Sequence, residues 1–203
     1  MGTNKNMLAV SLFTASLFLQ QCSCTKTLGL DCAEIKYSFE LPVKGYPDKD
    51  SISTGDTIWL EINESTSFKD DQSGQMIDYS NAGNIGSALG FQIYDSIQQN
   101  WYPAISQFLF LLTKGKELKR TPLDIEYSFA EETGRYLFKL GVIPKVKGLY
   151  RIVFSNSNNT YRNNDKCTKA NFIINFKETN HNRHLTGYTG PDVPGGDLNF
   201  YVK

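Results

Sequence analysis

The sequence predicts an all-β protein, an antiparallel β-sandwich preceded by a signal peptide, and three observations predict it. Short runs alternate apolar and polar residues with a period of two. Gly, Pro, Asn and Asp punctuate the gaps between them. Long stretches with apolar residues every third or fourth position, which a helix would need, are missing.

The elements follow in chain order. Residues 1–23 open with Lys5 and an apolar run from Met7 to Leu19, closed by Gln20 and Gln21. A helix needs about 20 apolar residues to span the hydrocarbon core, so this run is too short, and its plan is that of a cleaved export signal. Two cysteines follow it, and the arrangement resembles the lipobox of bacterial lipoproteins, in which the Cys is diacylated and becomes the mature N-terminus. Cys24 has the small Ser23 at −1 but Gln21 at −3; Cys22 has Leu19 at −3 but Gln21 at −1. Parity favours Cys24, with Cys22 as the alternative. Lipidation at Cys24 leaves Cys32 and Cys167 as an even pair in an oxidising compartment. A Cys32–Cys167 disulfide would close a long loop, for which the chain-entropy account gives about 4–5 kcal/mol.

Residues 24–34, including "TKTLGLD", read as a polar, Gly-containing tether, and residues 35–203 as one sandwich domain whose tail turns irregular from about 178. In "EIKYSFELPV" Ile35, Tyr37, Phe39, Leu41 and Val43 share one face of a strand. "DTIWLEI" follows as the next strand, then "SALGFQIY", "AISQFLFLLT", "LDIEYSF", "RYLFKLGVI", "LYRIVFS" and "ANFIINF". After a Gly- and Pro-rich stretch, "DLNFYVK" closes the chain as a last short strand. Tyr150, in "GLY" at a strand entrance, resembles the tyrosine corner of immunoglobulin-like sandwiches, whose hydroxyl bonds back to upstream backbone. The Cys…Trp…Cys pattern of antibody domains is not reproduced, so immunoglobulin-like describes architecture only.

The signal with its terminal Cys, together with "YPDKDSISTGDTIWLEI", "MIDYSNAGNIGSALGF" and "NFYVK", resembles a group of lipoproteins from the Bacteroidota that has no assigned activity. The resemblance implies an envelope location and a β-rich fold, and brings no activity with it. Surface-exposed lipoproteins of that phylum often carry acidic residues just after the lipidated Cys. Here the first is Asp31, which tilts the reading toward an outer-membrane anchor facing the periplasm. "DSI" at 50–52, "DTI" at 56–58 and "DSI" at 95–97 are similar to general O-glycosylation sites of the phylum, with Ser51, Thr57 and Ser96 as acceptors.

Composition narrows the partners. Of 203 residues, 21 are Lys or Arg and 21 are Asp or Glu, so no positive field invites nucleic acid. The G-x-S-x-G elbow, the H-E-x-x-H pair, the P-loop and the dinucleotide fingerprint do not occur, and neither an enzyme nor a cofactor is expected. His181 and His184, with Asp192 or Asp197, could meet around a metal if "NHNRHL" formed a helical turn, but solvated loop histidines are the better reading and no metal is expected. Counting an EF-hand from Asp48 puts Ser53 and Trp59 where Gly and Glu belong, so calcium is not expected either. Trp101 and Tyr102, in a loop "NWYP", and Trp59 on a strand are candidates for stacking sugar rings, against the alternative that they are core.

Three readings result. The first is a lipid-anchored envelope protein serving as a non-enzymatic structural or interaction module, with envelope proteins or glycans as partners and the membrane reached through lipid. The second is a glycan-binding accessory lipoprotein. The third is a pilus-type subunit whose "DLNFYVK" completes a neighbour's sheet.

Overall fold

In the computed structural model, residues 33–83, 85–163, 165–177, 179, 181–187 and 195–203 are described. The expected signal, Cys22, Cys24, Cys32 and Asp192 lie outside them. In chain order the strands are β1 (Ile35–Pro42), β2 (Lys44–Tyr46), β3 (Ser51–Ile52), β4 (Ile58–Ser65), β5 (Ser67–Lys69), β6 (Met76–Asp78), β7 (Gly86–Asp95), β8 (Asn100–Pro103) and β9 (Phe108–Lys114). They continue as β10 (Lys116–Arg120), β11 (Asp124–Ser128), β12 (Ala130–Glu132), β13 (Arg135–Pro144), β14 (Gly148–Phe154), β15 (Ser157–Arg162), β16 (Asp165–Asn175) and β17 (Asp197–Val202). Among the described residues helix is confined to single 3-10 turns at Ile105–Gln107 and Arg183–Thr186.

The fold is all-β, as the alternation predicts, and its sheets stay open. A seven-stranded sheet runs β10-β11-β7-β14-β17-β3, with β8 beside β11 along the same edge of β7. A five-stranded sheet runs β12-β13-β4-β2, with β9 also on β13. Strands β1, β16 and β15 form a third sheet, and β5 and β6 a hairpin.

Two pairings correct the antiparallel expectation: β1 lies parallel to β16 and β17 parallel to β3. Parallel neighbours need a long connection, and each of these pairs is separated by most of the chain. "NWYP", expected as a loop, is strand β8, paired with Gln92 to Asp95 of β7.

Inner faces meet through aromatic rings. Phe91 of β7 lies 4.9 Å from Phe110 of β9, Tyr150 of β14 is 4.9 Å from Phe108, and Tyr127 of β11 is 5.3 Å from Phe138 of β13. These contacts join the two larger sheets. A second cluster carries the packing to the third sheet: Phe172 of β16 lies 5.3 Å from Phe39 and from Phe68, and Phe68 stacks 6.0 Å from Tyr136 of β13. Such ring pairs add to what their buried area contributes.

Buried hydroxyls stitch loops to this core. Tyr79 donates to the Thr160 carbonyl at 2.6 Å, and Tyr136 donates to the Tyr79 carbonyl at 2.6 Å. The Tyr150 hydroxyl lies 2.9 Å from the Val146 carbonyl and 2.5 Å from the Gln107 side-chain amide. One proton serves one acceptor, so the pair is satisfied when Tyr150 donates to Val146 and the amide turns its NH2 toward the phenol. The bond back to upstream backbone, read from "GLY", is therefore made.

Candidate functional site

The outer face of the seven-stranded sheet carries what alternation leaves behind once the core side chains point inward. Along β7 these are Ala88, Gly90, Gln92 and Tyr94; β14 adds Arg151 and Val153. Ala88 and Gly90 leave the middle of the sheet low, while Leu123 and Asp124 rise on one side and Arg151 and Asp197 on the other. The result is a hollow of about 510 Å³. A smaller one of about 210 Å³ adjoins it, bounded by Trp101, Arg183, Thr186 and Asn199, and both share Arg151 and Asp197.

Strand register places Arg151 opposite Gln92, and Trp101 opposite Tyr94. Arg151 donates from Nε and Nη2 to Oε1 of Gln92 at 3.0 and 2.6 Å. Its guanidinium lies 4.4 Å over the Trp101 ring, and that ring is 5.2 Å from Tyr94. Among the described residues no carboxylate lies within ion-pair distance of Arg151. Burial pushes the pKa of its guanidinium down, with Asp197 acting in the opposite sense.

Asp197 is committed elsewhere. It accepts from Arg183 Nη2 at 2.7 Å. Burial alone would raise its pKa, and the Arg183 hydrogen bond and charge more than offset that, so its carboxyl is held below the ordinary range. His181 Nδ1 lies 2.7 Å from the Asp197 carbonyl oxygen and must donate to it, and Nδ2 of Asn199 donates to the His181 carbonyl at 2.8 Å.

Of the expected site residues, Trp101 belongs to this face. Tyr102 is the next residue along β8 and so points to the opposite side of the strand, where its hydroxyl donates to Gln98. Trp59 sits on the five-stranded sheet, packed where a Cβ on Gly141 would lie and with Lys139 Nζ 5.3 Å over its ring. The three aromatic candidates therefore do not form one platform.

His181 is buried, 5% exposed, which corrects its reading as a solvated loop residue. The tail around it folds back onto β17 through the Asn182 and Asn199 amides. His184 is exposed and turns instead to Asp50 at 3.3 Å. No group of three metal-capable side chains occurs among the described residues.

Of the candidate acceptors, Ser51 and Thr57 are half-buried, and Ser96 is exposed in the turn after Asp95. The Asp95 carboxylate caps that turn, accepting from the Ile97 and Gln98 amides. Cys167 is half-buried and is not a free thiol.

Sequence reasoning passed over Arg151. Its signal was present, a lone cation between the apolar pairs of "LYRIVF", but its neighbours depend on strand order. No helix among the described residues is long and apolar enough to cross a membrane. Compared with known proteins, the chain matches no family model, no curated protein and no solved structure.

Proposed function

We propose that the chain is an exported lipoprotein of the bacterial envelope whose immunoglobulin-like β domain is a non-enzymatic binding module, with the outer face of the seven-stranded sheet as its ligand surface. The observation that carries this reading is the hollow around Arg151, which combines a half-buried cation, side-chain amides, an indole and a low apolar floor. Those are recognition groups, and mostly pre-formed hollows with a few placed polar groups are where small ligands bind. The signal-like apolar run and the cysteines that follow it support the anchor, with Cys24, or alternatively Cys22, as the lipidated residue, and a Cys32–Cys167 disulfide fits the same compartment. The immunoglobulin-like description is supported by the Tyr150 bond to Val146.

A glycan ligand is favoured by Trp101, which borders the smaller hollow. The pilus-type alternative gains little, because withdrawing β17 would uncover Leu198, Phe200 and Val202, all buried now.

Two measurements test the proposal. Mass spectrometry of the native protein, digested without reduction, should find a diacylated N-terminal Cys24 and Cys32 linked to Cys167. An intact Met1–Leu19 peptide with free thiols would contradict the export reading. On an array of envelope glycans the wild type should be retained and Gly90→Leu, which fills the hollow, should not. Equal retention of both proteins would move the site elsewhere, and retention of neither would remove the glycan reading.

A further inference from the structure

We infer that the hollow takes a carboxylate-bearing saccharide, a uronic-acid oligomer, with the carboxylate in the fork of Arg151. This rests on the ligand surface just proposed and names its chemistry.

Three features carry it. The first is the guanidinium's unused capacity. Arg151 has five N–H donors; one on Nε and one on Nη2 go to Gln92. Nη1 and the second hydrogen of Nη2 keep a free edge among the described residues, and that edge has the spacing that accepts a carboxylate bidentately. Gln92 and the Trp101 face hold the group in place, so little freedom is lost when the anion arrives.

The second is local charge. Arg183 shares the smaller hollow and holds Asp197 in an ion pair at 2.7 Å, so Asp197 acts on Arg151 only at longer range and makes no ion pair with it. A half-buried cation whose direct hydrogen bonds go to a neutral amide oxygen gains from an incoming anion more than a solvated one would.

The third separates a sugar acid from other anions. Asp124 and Asp197 also border the larger hollow. Asp197 is engaged by Arg183 and Asp124 Oδ1 accepts from the Thr121 hydroxyl, yet each carboxylate keeps lone pairs for a ligand hydroxyl, and together they repel a dianionic phosphate more than a ligand with one negative charge per ring. Ala88, Gly90 and Val153 give the apolar C–H face of a pyranose a flat floor. Since Arg151 already covers one face of the Trp101 ring, recognition runs through the cation first, and stacking on a bare indole face is secondary.

The test is calorimetric titration of the full-length protein with tetramers of galacturonate, glucuronate and mannuronate, and with the methyl ester of whichever binds. The ester keeps the ring and removes the charge. At least one acid should bind, its ester should bind 10-fold or more weakly, and Arg151→Gln should remove that preference while Gly90→Leu abolishes binding altogether. Equal affinity for acid and ester, with binding still lost in Gly90→Leu, would overturn the acidic ligand and leave the surface standing. No binding of any acid or ester, or binding untouched by Gly90→Leu, would overturn both. Inorganic phosphate, or a peptide presenting only its C-terminal carboxylate, competing as well as the uronate would overturn the saccharide assignment.

Discussion

One methyl group added at two glycines of strand β7 should move stability in opposite directions. Gly86 pairs with Ser128 of β11. A Cβ there would stand 2.0 Å from the Tyr127 carbonyl oxygen, 3.0 Å from its carbon and 3.1 Å from the Ser128 Cα. All three are backbone atoms, so no side-chain rotation relieves the clash. Strand β11 must shift, straining the Phe129 N–H to Ile85 carbonyl bond of 2.8 Å beside it. Overpacking that forces backbone movement costs about 3 kcal/mol.

At Gly90 the same methyl meets nothing closer than the Val153 Cβ at 3.9 Å and the Leu123 carbonyl at 4.0 Å, which is ordinary contact. Its φ is not positive, so alanine fits unstrained, and the lower entropy of the unfolded chain should stabilise by about 0.5–1 kcal/mol. The two chemically identical changes should thus differ by roughly 4 kcal/mol. Urea unfolding of the wild type, Gly86→Ala and Gly90→Ala measures this. Thermal midpoints should separate by about 2–4 °C per kcal/mol for a domain of this size. Two variants within 0.5 kcal/mol of each other would refute the close approach of β7 to β11, and with it the sheet order that builds the hollow.

Other outcomes follow from the same contacts. Tyr150→Phe should cost about 1–2 kcal/mol in chemical denaturation, since it removes a buried hydroxyl bonded to Val146 and Gln107, and a change under 0.5 kcal/mol would leave the corner without energetic weight. Hydrogen bonds from the Ser73 hydroxyl and the Ser38 amide hold the Asp70 carboxyl below the ordinary carboxylate range. Its stabilising effect is therefore present above the unfolded pKa of about 3.9 and lost as pH falls through the lower folded value; Asp70→Asn should flatten the acid limb of stability against pH. Burial pushes Tyr79 up to about 12, and Tyr127 and Tyr136 up as well. The folded state then keeps protons that the unfolded state releases near pH 10, so stability should decline from there upward, and phenolate absorbance should show late tyrosines ionising only as the fold is lost.

Local pattern sufficed where a strand buries one face. β1, β4, β7, β13, β14 and β16 all read as alternation because core residues such as Phe39, Leu60, Phe91, Phe138, Ile152 and Phe172 recur on one side. β10 escaped because all five of its residues are exposed, which leaves no period to detect. β2 and β3 are three and two residues long, below any periodic signal. β8 is mostly exposed and ends in Pro103, so it reads like a turn although β7 pairs with it.

The parallel pairings and the burial of His181 depend on contacts between distant segments, about which local composition is silent. The site was half legible for the same reason. Trp101 stood out as an aromatic among polar neighbours, while its pairing with Arg151 and Gln92 comes from β8, β7 and β14 lying side by side. Trp59 looked equivalent in sequence and belongs to a different sheet.

The most direct test of the ligand surface uses the two tryptophans as reporters on separate sheets. In a Trp59→Phe variant of the full-length protein, fluorescence comes from Trp101 alone among tryptophans. Titration with the uronate tetramer panel should shift or quench that emission saturably, while the Trp101→Phe variant, reporting from Trp59, should stay constant. A saturable change at Trp59 with none at Trp101 would place binding on the five-stranded sheet and contradict the account.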